Sequence, residues 1–390
     1  MRRSRTMELQ LPAPGETILA MLKLPGEMCN INCHYCYERR KPYPNALMLK
    51  PEVLRKFLGL CDGRPLAVEL HGGEPLLIGR RKMGELFAEL RRYEGAVTVS
   101  MQTNGILLDK AWLDFFDSEW PDIEIGISLD GDEQGNAHRV DFRDRPTYRK
   151  VTKALDMMAA RGRNVGVIVV VTRRILGRAA EVLDSLSKFE AVKVVKLSGC
   201  LDFNVKTKEY RTPNRESLQI LNPDGVGMPG WATTPDEYAD FLIEAFEHWS
   251  STRSYGSYVL EPFFSVIRSL SGLPTSYTSF SDRKEPFVVT LYPDGRIGSS
   301  DELSMPGALL GSVDTATGMD DLLTLDSNPR LRTDLSALLN KCAGCSHEAS
   351  CRGGALPDRL RFEGTGFEED YCDYRRKVID HVAAALPAAA

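Results

Sequence analysis

Short runs of β-branched and apolar residues alternate with helix-length amphipathic segments from residue 17 to about residue 200. Residues 17–23, 66–70, 97–102, 123–129, 165–172 and 192–197 read as strands, and 51–60, 81–93, 110–116, 148–161 and 178–189 as helices. Pro51 suits a first helical position, and Arg91 with Arg92 suits a helix C-terminus. Ile168-Val169-Val170-Val171 is continuous rather than alternating, which predicts a strand covered on both faces. Repeated strand–helix units imply parallel strands joined by right-handed crossovers. Six units are too few for a full eight-fold barrel, so the expected fold is α/β, an open or partial (β/α)6 barrel. Its ligand belongs at the carboxyl ends of the strands.

The rhythm stops after Leu197. Residues 198–233 hold Gly, Pro, Asn and Thr with little periodicity, and their length suggests a functional insertion. A strong helix follows, with Thr234 as N-cap, Pro235 at the first position and an apolar stripe through Tyr238, Leu242, Ala245 and Trp249. After a further apolar stretch at 259–270, residues 287–292 and 296–297 flank Pro293-Asp294-Gly295, which reads as a hairpin turn. The expected division is an N-terminal segment at 1–16, the barrel at 17–233 including the 198–233 insertion, a helical bridge at 234–280 and a C-terminal domain at 281–390.

Composition narrows the class. At 43% hydrophobic and 26% charged, the 390-residue chain is globular rather than disordered. Its net charge of −5 and lack of a basic block argue against a nucleic-acid partner. No apolar run approaches the ~18 residues of a membrane span, and no long apolar segment follows the basic start as a signal peptide requires. Nine cysteines, an odd number without an export signal, point to a reducing, cytoplasmic setting and to metal ligation.

Seven of the nine fall in two groups. Cys29, Cys33 and Cys36 have CX3CX2C spacing just past the first strand. Three thiolates on a tight loop can hold three irons of a [4Fe–4S] cluster and leave the fourth without a protein ligand. A structural zinc site would want a fourth ligand, and His34 between two cysteines is poorly placed to supply it. This loop, with aromatic Tyr35 before its last cysteine, resembles that of the radical S-adenosylmethionine (radical SAM) family. His71-Gly72-Gly73-Glu74-Pro75 resembles the family's GGEP loop, Gln102-Thr103-Asn104-Gly105 its TNG segment, and Ser128-Leu129-Asp130-Gly131 with Arg139 a further matching strand end. The resemblance implies cofactor contacts at Tyr35, Gly72, Gly73, Glu74, Asn104, Ser128 and Arg139, with Asp130 ordering its loop. It also implies chemistry in which SAM chelates the open iron and is reduced to a 5′-deoxyadenosyl radical that abstracts a hydrogen atom.

The second group, Cys342, Cys345, Cys351 and Cys372, gives CX2CX5C and a distant fourth cysteine. Four thiolates alone fit either zinc or a fully ligated iron–sulfur cluster. After such a barrel they resemble the SPASM-type C-terminal extension, implying an auxiliary [4Fe–4S] cluster. The full extension carries two auxiliary clusters, but Ser300 and Ala355 stand where two of the inner cluster's cysteines would be. Two clusters in total are therefore expected. In the sulfatase-maturing branch the residue after the Ser300 position is an aspartate acting as base, so Asp301 is the catalytic candidate, against the plain alternative of an exposed hairpin acid beside Glu302. Cys200, near the expected mouth, is read as a small buried residue with hydrogen-atom donation as the sharper alternative, and Cys61 as core.

The Ser128–Leu155 segment resembles maturases of ribosomally made peptides, nearest those that form cyclophanes. The leading expectation is an oxidative side-chain crosslink on a precursor peptide, with an electron donor such as flavodoxin or ferredoxin. The alternatives are dehydrogenation or epimerisation of a small molecule, and sulfatase-type maturation, ranked lower for the missing inner cysteines. With 28 residues before Cys29 and 18 after Cys372, an appended leader-binding domain is not expected.

Overall fold

In the computed structural model, residues 7–40, 47–202, 205–212, 215–221, 227–275, 277–303 and 307–386 are described. Six parallel strands, β1 (Ile18–Lys23), β2 (Leu66–His71), β3 (Val97–Thr103), β4 (Glu124–Ser128), β5 (Val165–Val171) and β6 (Val192–Gly199), pair in chain order. The crossover helices are α1 (Pro51–Cys61), α2 (Arg80–Arg92), α3 (Lys110–Glu119), α4 (Tyr148–Ala160) and α5 (Ala179–Ser187). The partial barrel expected from the alternating pattern is present, with every helix and strand within a few residues of its expected place.

Two-residue periodicity explains which side chains reach the lumen. On β1 and β2, Ile18, Ala20, Leu22, Leu66, Val68 and Leu70 are buried under the helices. The alternate residues, including Met21, Glu69, Gln102, Ser128, Val170 and Lys196, line an internal chamber. On β5 the continuous valine run has one face fully buried, while Ile168 and Val170 are only half-buried, because their side of the strand borders that chamber. Each buried aliphatic side chain on the helix side contributes about 1.5–3 kcal/mol relative to exposure, which fixes the strand faces firmly.

The C-terminal part closes the sheet rather than standing apart from it. A hairpin of β7 (Val205–Thr212) and β8 (Arg215–Leu221) lies in the region read from the sequence as aperiodic. Then α6 (Pro235–Ser251) begins with a capping box between Thr234 and Glu237. Its expected stripe is buried, and the Tyr238 hydroxyl donates to the Leu197 carbonyl at 3.0 Å. The 259–270 stretch divides at Pro262 into β9 (Val259–Glu261), added in parallel beside β6, and α7 (Phe263–Leu270).

At the other edge, β10 (Val288–Leu291) adds in parallel to β1 and turns through Gly295, at φ 86°, into β11 (Arg296–Gly298); β12 (Leu309–Ser312) completes ten strands. The pairing of Leu22 with Leu291 fixes the hairpin against the first strand, so the residues just after β11 reach the end of the barrel. Five helices follow: α8 (Met319–Leu323), α9 (Pro329–Asn340), α10 (Glu348–Cys351), α11 (Leu356–Phe362) and α12 (Glu368–Ala385). The last packs on α6, with Tyr238 and Tyr374 ring centroids 5.5 Å apart. Among the described residues, no helix is long and apolar enough to cross a membrane.

Candidate active site

A chamber of about 510 Å³ opens at the carboxyl ends of the strands. Cys29, Cys33 and Cys36 all border it. Their loop is braced on two sides. The amides of Gly73 and Glu74 donate to the carbonyls of Gly26 and Met28 at 2.9 Å each, and the amides of Asn32 and His34 donate to Val140 and His138. A Cβ on Gly73 would lie 2.1 Å from the Met28 carbonyl oxygen. The resemblance implies that this glycine pair contacts the cofactor. The approach of the cysteine loop's own backbone is the tighter constraint, although Gly72 and Gly73 also border the chamber.

Glu74 is fully buried and accepts from the amides of Leu76 and Asn104 at 3.1 and 2.8 Å and from the Thr103 hydroxyl at 2.7 Å. It thereby ties the end of β2 to the end of β3. Asn104 in turn donates to Asn30 at 2.7 Å and approaches the Cys29 sulfur at 3.6 Å. Asp130 is equally enclosed, accepting from the Val170 amide at 2.9 Å and the Tyr35 hydroxyl at 2.5 Å, which ties the end of β4 to β5 and to the cysteine loop. Neither carboxylate borders the chamber. Tyr35, Asn104, Ser128 and Arg139 do. Arg139 donates to the Tyr35 hydroxyl at 2.9 Å, while its buried Nε has no partner among the described residues. His34 turns away and pairs with His138 at 3.1 Å.

The donor set fits an iron–sulfur cluster and SAM. In tetrahedral zinc sites, ligand sulfurs lie about 3.8 Å apart, as follows from a metal–sulfur bond of about 2.3 Å. Among the described residues, no three cysteine sulfurs lie within 4.8 Å of one another, in either group. Three thiolates on one loop beside a chamber, and four around a separate pocket, are the donor sets that an open and a fully ligated iron–sulfur cluster require. Burial and the neighbouring Glu74 push the Cys29 thiol well above its ordinary range, so ligation there must expel a proton. The orphaned Nε of Arg139 offers a donor toward an anionic group such as the carboxylate of SAM.

Asp301 comes to the same chamber from the loop after β11. It is 3% exposed, so the plain alternative of an exposed hairpin acid does not hold: the pairing of β10 with β1 carries it inward. It accepts from the Tyr37 hydroxyl at 2.8 Å and is ion-paired to Lys23, the last residue of β1. Lys23, fully buried, also bonds Glu38 at 2.6 Å and lies 3.1 Å from His71 Nδ1. Lys23, Tyr37, Glu38 and His71 were all missed as site residues in the sequence. The available signal was a lysine at a strand's carboxyl end, on the lumen face opposite His71.

Cys342, Cys345, Cys351 and Cys372 surround a separate pocket of about 250 Å³. Arg359 donates to the Cys342 sulfur at 3.3 Å and Arg375 to that of Cys351 at 3.0 Å. Burial raises the Cys351 thiol, but Arg375 and Lys284 pull it down by more. Ser300 and Ala355 border the main chamber, where the Lys284 ammonium bridges the carbonyls of Thr278 and Gly354 at 2.7 Å each. Cys200 is 5% exposed, packs with Cys33 and Tyr35, and lies 3.4 Å from Asp202. Cys61 is core, its thiol pushed up to about 12 by burial.

Residues 24–185 match the Radical SAM superfamily. Those residues form a radical SAM domain. Across nearly the whole chain there are further similarities. A cysteine-type anaerobic sulfatase-maturating enzyme of Clostridium perfringens is 24% identical, over 94% of this chain and 96% of its own length. A serine-type enzyme of Klebsiella aerogenes is also 24% identical, over 88% and 80%. Native anSMEcpe, solved with bound AdoMet and the Kp18Cys peptide, superposes with a TM-score of 0.76 at 20% identity, covering 95% of this chain and 97% of that one. At that identity the likeness establishes the fold, a radical SAM barrel with its C-terminal domain. The radical SAM match is to residues 24–185, and the cofactors are SAM and two [4Fe–4S] clusters; Cys29, Cys33 and Cys36 would hold one and Cys342, Cys345, Cys351 and Cys372 the other. When bound, SAM and the open cluster supply the hydrogen-abstracting radical.

Proposed function

We propose that this radical SAM enzyme oxidises a side chain within a peptide, in the manner of anaerobic sulfatase maturation. The observation that carries the reading is the placement of Asp301. It is buried in the wall of the chamber that also contains the three cysteines and Arg139, and it is the only acidic residue after β11 held by both Lys23 and Tyr37 among the described residues. The sulfatase-maturating relatives, aligned over most of both chains, support it. They reverse the order of the expectations: sulfatase-type maturation was ranked below cyclophane formation, and nothing in the relatives supports a carbon–carbon crosslink.

In this reading Asp301 accepts the proton of a substrate hydroxyl or thiol; the bound cofactors would supply the oxidant, SAM taking the hydrogen atom from the adjacent carbon and an iron–sulfur cluster the remaining electron. Arg139 and Tyr35 hold the SAM end of the chamber, and the barrel lumen keeps bulk water from the reacting carbon. Ser300 and Ala355 offer no thiolate, so substrate binding must rest on groups other than an inner auxiliary iron.

The test is anaerobic incubation of reconstituted protein with SAM, a reductant and sulfatase-type peptides carrying cysteine or serine, read by mass spectrometry. Loss of two hydrogens from serine, with a new hydrazide-reactive carbonyl, is expected. The same mass loss without a carbonyl would signal a crosslink and contradict the reading.

A further inference from the structure

A lysine ammonium has three protons to donate and no lone pair to accept with. Lys23 has three acceptors around it: Glu38 Oε1 at 2.6 Å, Asp301 Oδ2, and His71 Nδ1 at 3.1 Å. By spacing alone, Glu38, His71 and Asp301 form a set that could hold a metal ion. The ammonium of Lys23 already sits among them and uses all three. The arrangement is built into the sheet, because Lys23 and His71 are paired residues at the ends of β1 and β2, on the same face.

The count has a consequence for the imidazole. A ring nitrogen facing an ammonium must present its lone pair, so Nδ1 is unprotonated and the neutral ring carries its proton on Nε2. His71 borders the chamber, and its Nε2 has no hydrogen-bond partner among the described residues. We infer that His71 is a substrate-binding donor: its Nε2–H bonds an acceptor oxygen of the peptide, a carbonyl or hydroxyl, and Lys23 is the positioning residue that fixes this tautomer while aiming Asp301. The charged groups facing the ring are Lys23, Asp301, Glu69 and Glu38; burial and Lys23 together hold the ring below its ordinary range, so it is neutral at pH 7. A donor and a base then flank the same substrate residue, one fixing its oxygen and the other taking its proton.

The substrate half rests on the peptide reading above; the tautomer half does not. Nitrogen-15 NMR of histidine-labelled protein without cofactors, with His71 assigned through the His71→Gln variant, reads the ring directly. The expected result is protonated Nε2 and bare Nδ1 at pH 7. An Nδ1–H tautomer or an imidazolium overturns the inference. With the sulfatase-type peptides, His71→Ala should raise KM roughly ten-fold with a smaller change in kcat, as loss of one binding hydrogen bond implies. His71→Gln, which keeps an N–H donor, should recover most of it. Equal KM for all three proteins overturns the contact with substrate. If the wild-type protein oxidises none of these peptides, the peptide reading fails, and the NMR result still decides the tautomer.

Discussion

The two cysteine groups of this protein offer the same ligand atom in opposite settings. At the N-terminal site three sulfurs come from a single eight-residue span, 29–36, and border a large chamber shared with Arg139, His71 and Asp301. At the C-terminal site four sulfurs come from the turn after α9, from α10 and from α12, and surround a smaller pocket of their own. Arg359 and Arg375 donate directly to sulfurs there, whereas the N-terminal loop is held through backbone bonds and Asn104. The lesson is that ligand count and ligand origin separate a reactive centre from a closed one. Three ligands on one loop would leave a coordination site vacant beside a cavity; four from a turn and two helices would tie the fold together and leave none.

The largest predicted effects come from removing one site at a time. Cys33→Ala should abolish 5′-deoxyadenosine formation and lower iron from about eight to about four atoms per chain. Cys372→Ala should cause the same iron loss yet retain SAM cleavage while product formation falls. If both variants lose SAM cleavage equally, the division of roles is wrong.

Next is Asp301→Asn, which removes the proposed base without disturbing either cysteine site. Product formation should fall about 10²–10⁴-fold, the usual contribution of a general base, with 5′-deoxyadenosine still made. Unchanged peptide oxidation would remove Asp301 from the mechanism.

Lys23→Met leaves the buried carboxylates of Glu38 and Asp301 facing each other uncompensated, for a destabilisation of about 3–5 kcal/mol in urea unfolding of the apoprotein. A loss below about 1 kcal/mol, the size of a surface ion pair, would mean that the cluster is not dry.

The smallest effect is a pH dependence in the C-terminal part. Burial raises the Glu285 carboxyl from 4.5 to about 7, and one of its oxygens has no partner among the described residues. The folded protein then holds a proton that the unfolded chain has lost, so this group makes stability fall as pH rises from 4.5 toward 7. Glu285→Gln should flatten that part of the unfolding curve; an unchanged slope would place the titration elsewhere.

The sequence was most legible where local pattern and backbone geometry coincide. Alternation in 66–70 and 97–102, the capping signal at Thr234 and the turn at Pro293-Asp294-Gly295 each depend on neighbours a few residues away, and each appears as expected. The cysteine groups were legible because ligand spacing is itself a sequence property. The Asp301 environment was not, since its burial depends on Lys23, 278 residues earlier, and on β10 adding to β1. Glu74 shows a related limit: its side-chain oxygens are taken by Leu76, Thr103 and Asn104, a tie between strand ends that its motif does not announce. The apolar stretch at 259–270 concealed a strand and a helix because both bury the same residue types, and only Pro262 marked the division.

The most direct test of the contrast between the two sites is reduction of the anaerobically reconstituted protein with dithionite in the presence of SAM, followed by quantification of 5′-deoxyadenosine. A cluster held by Cys29, Cys33 and Cys36 with one coordination site vacant would give 5′-deoxyadenosine and methionine in equal amounts, which is the predicted result. Protein carrying about eight irons per chain that forms neither would contradict it.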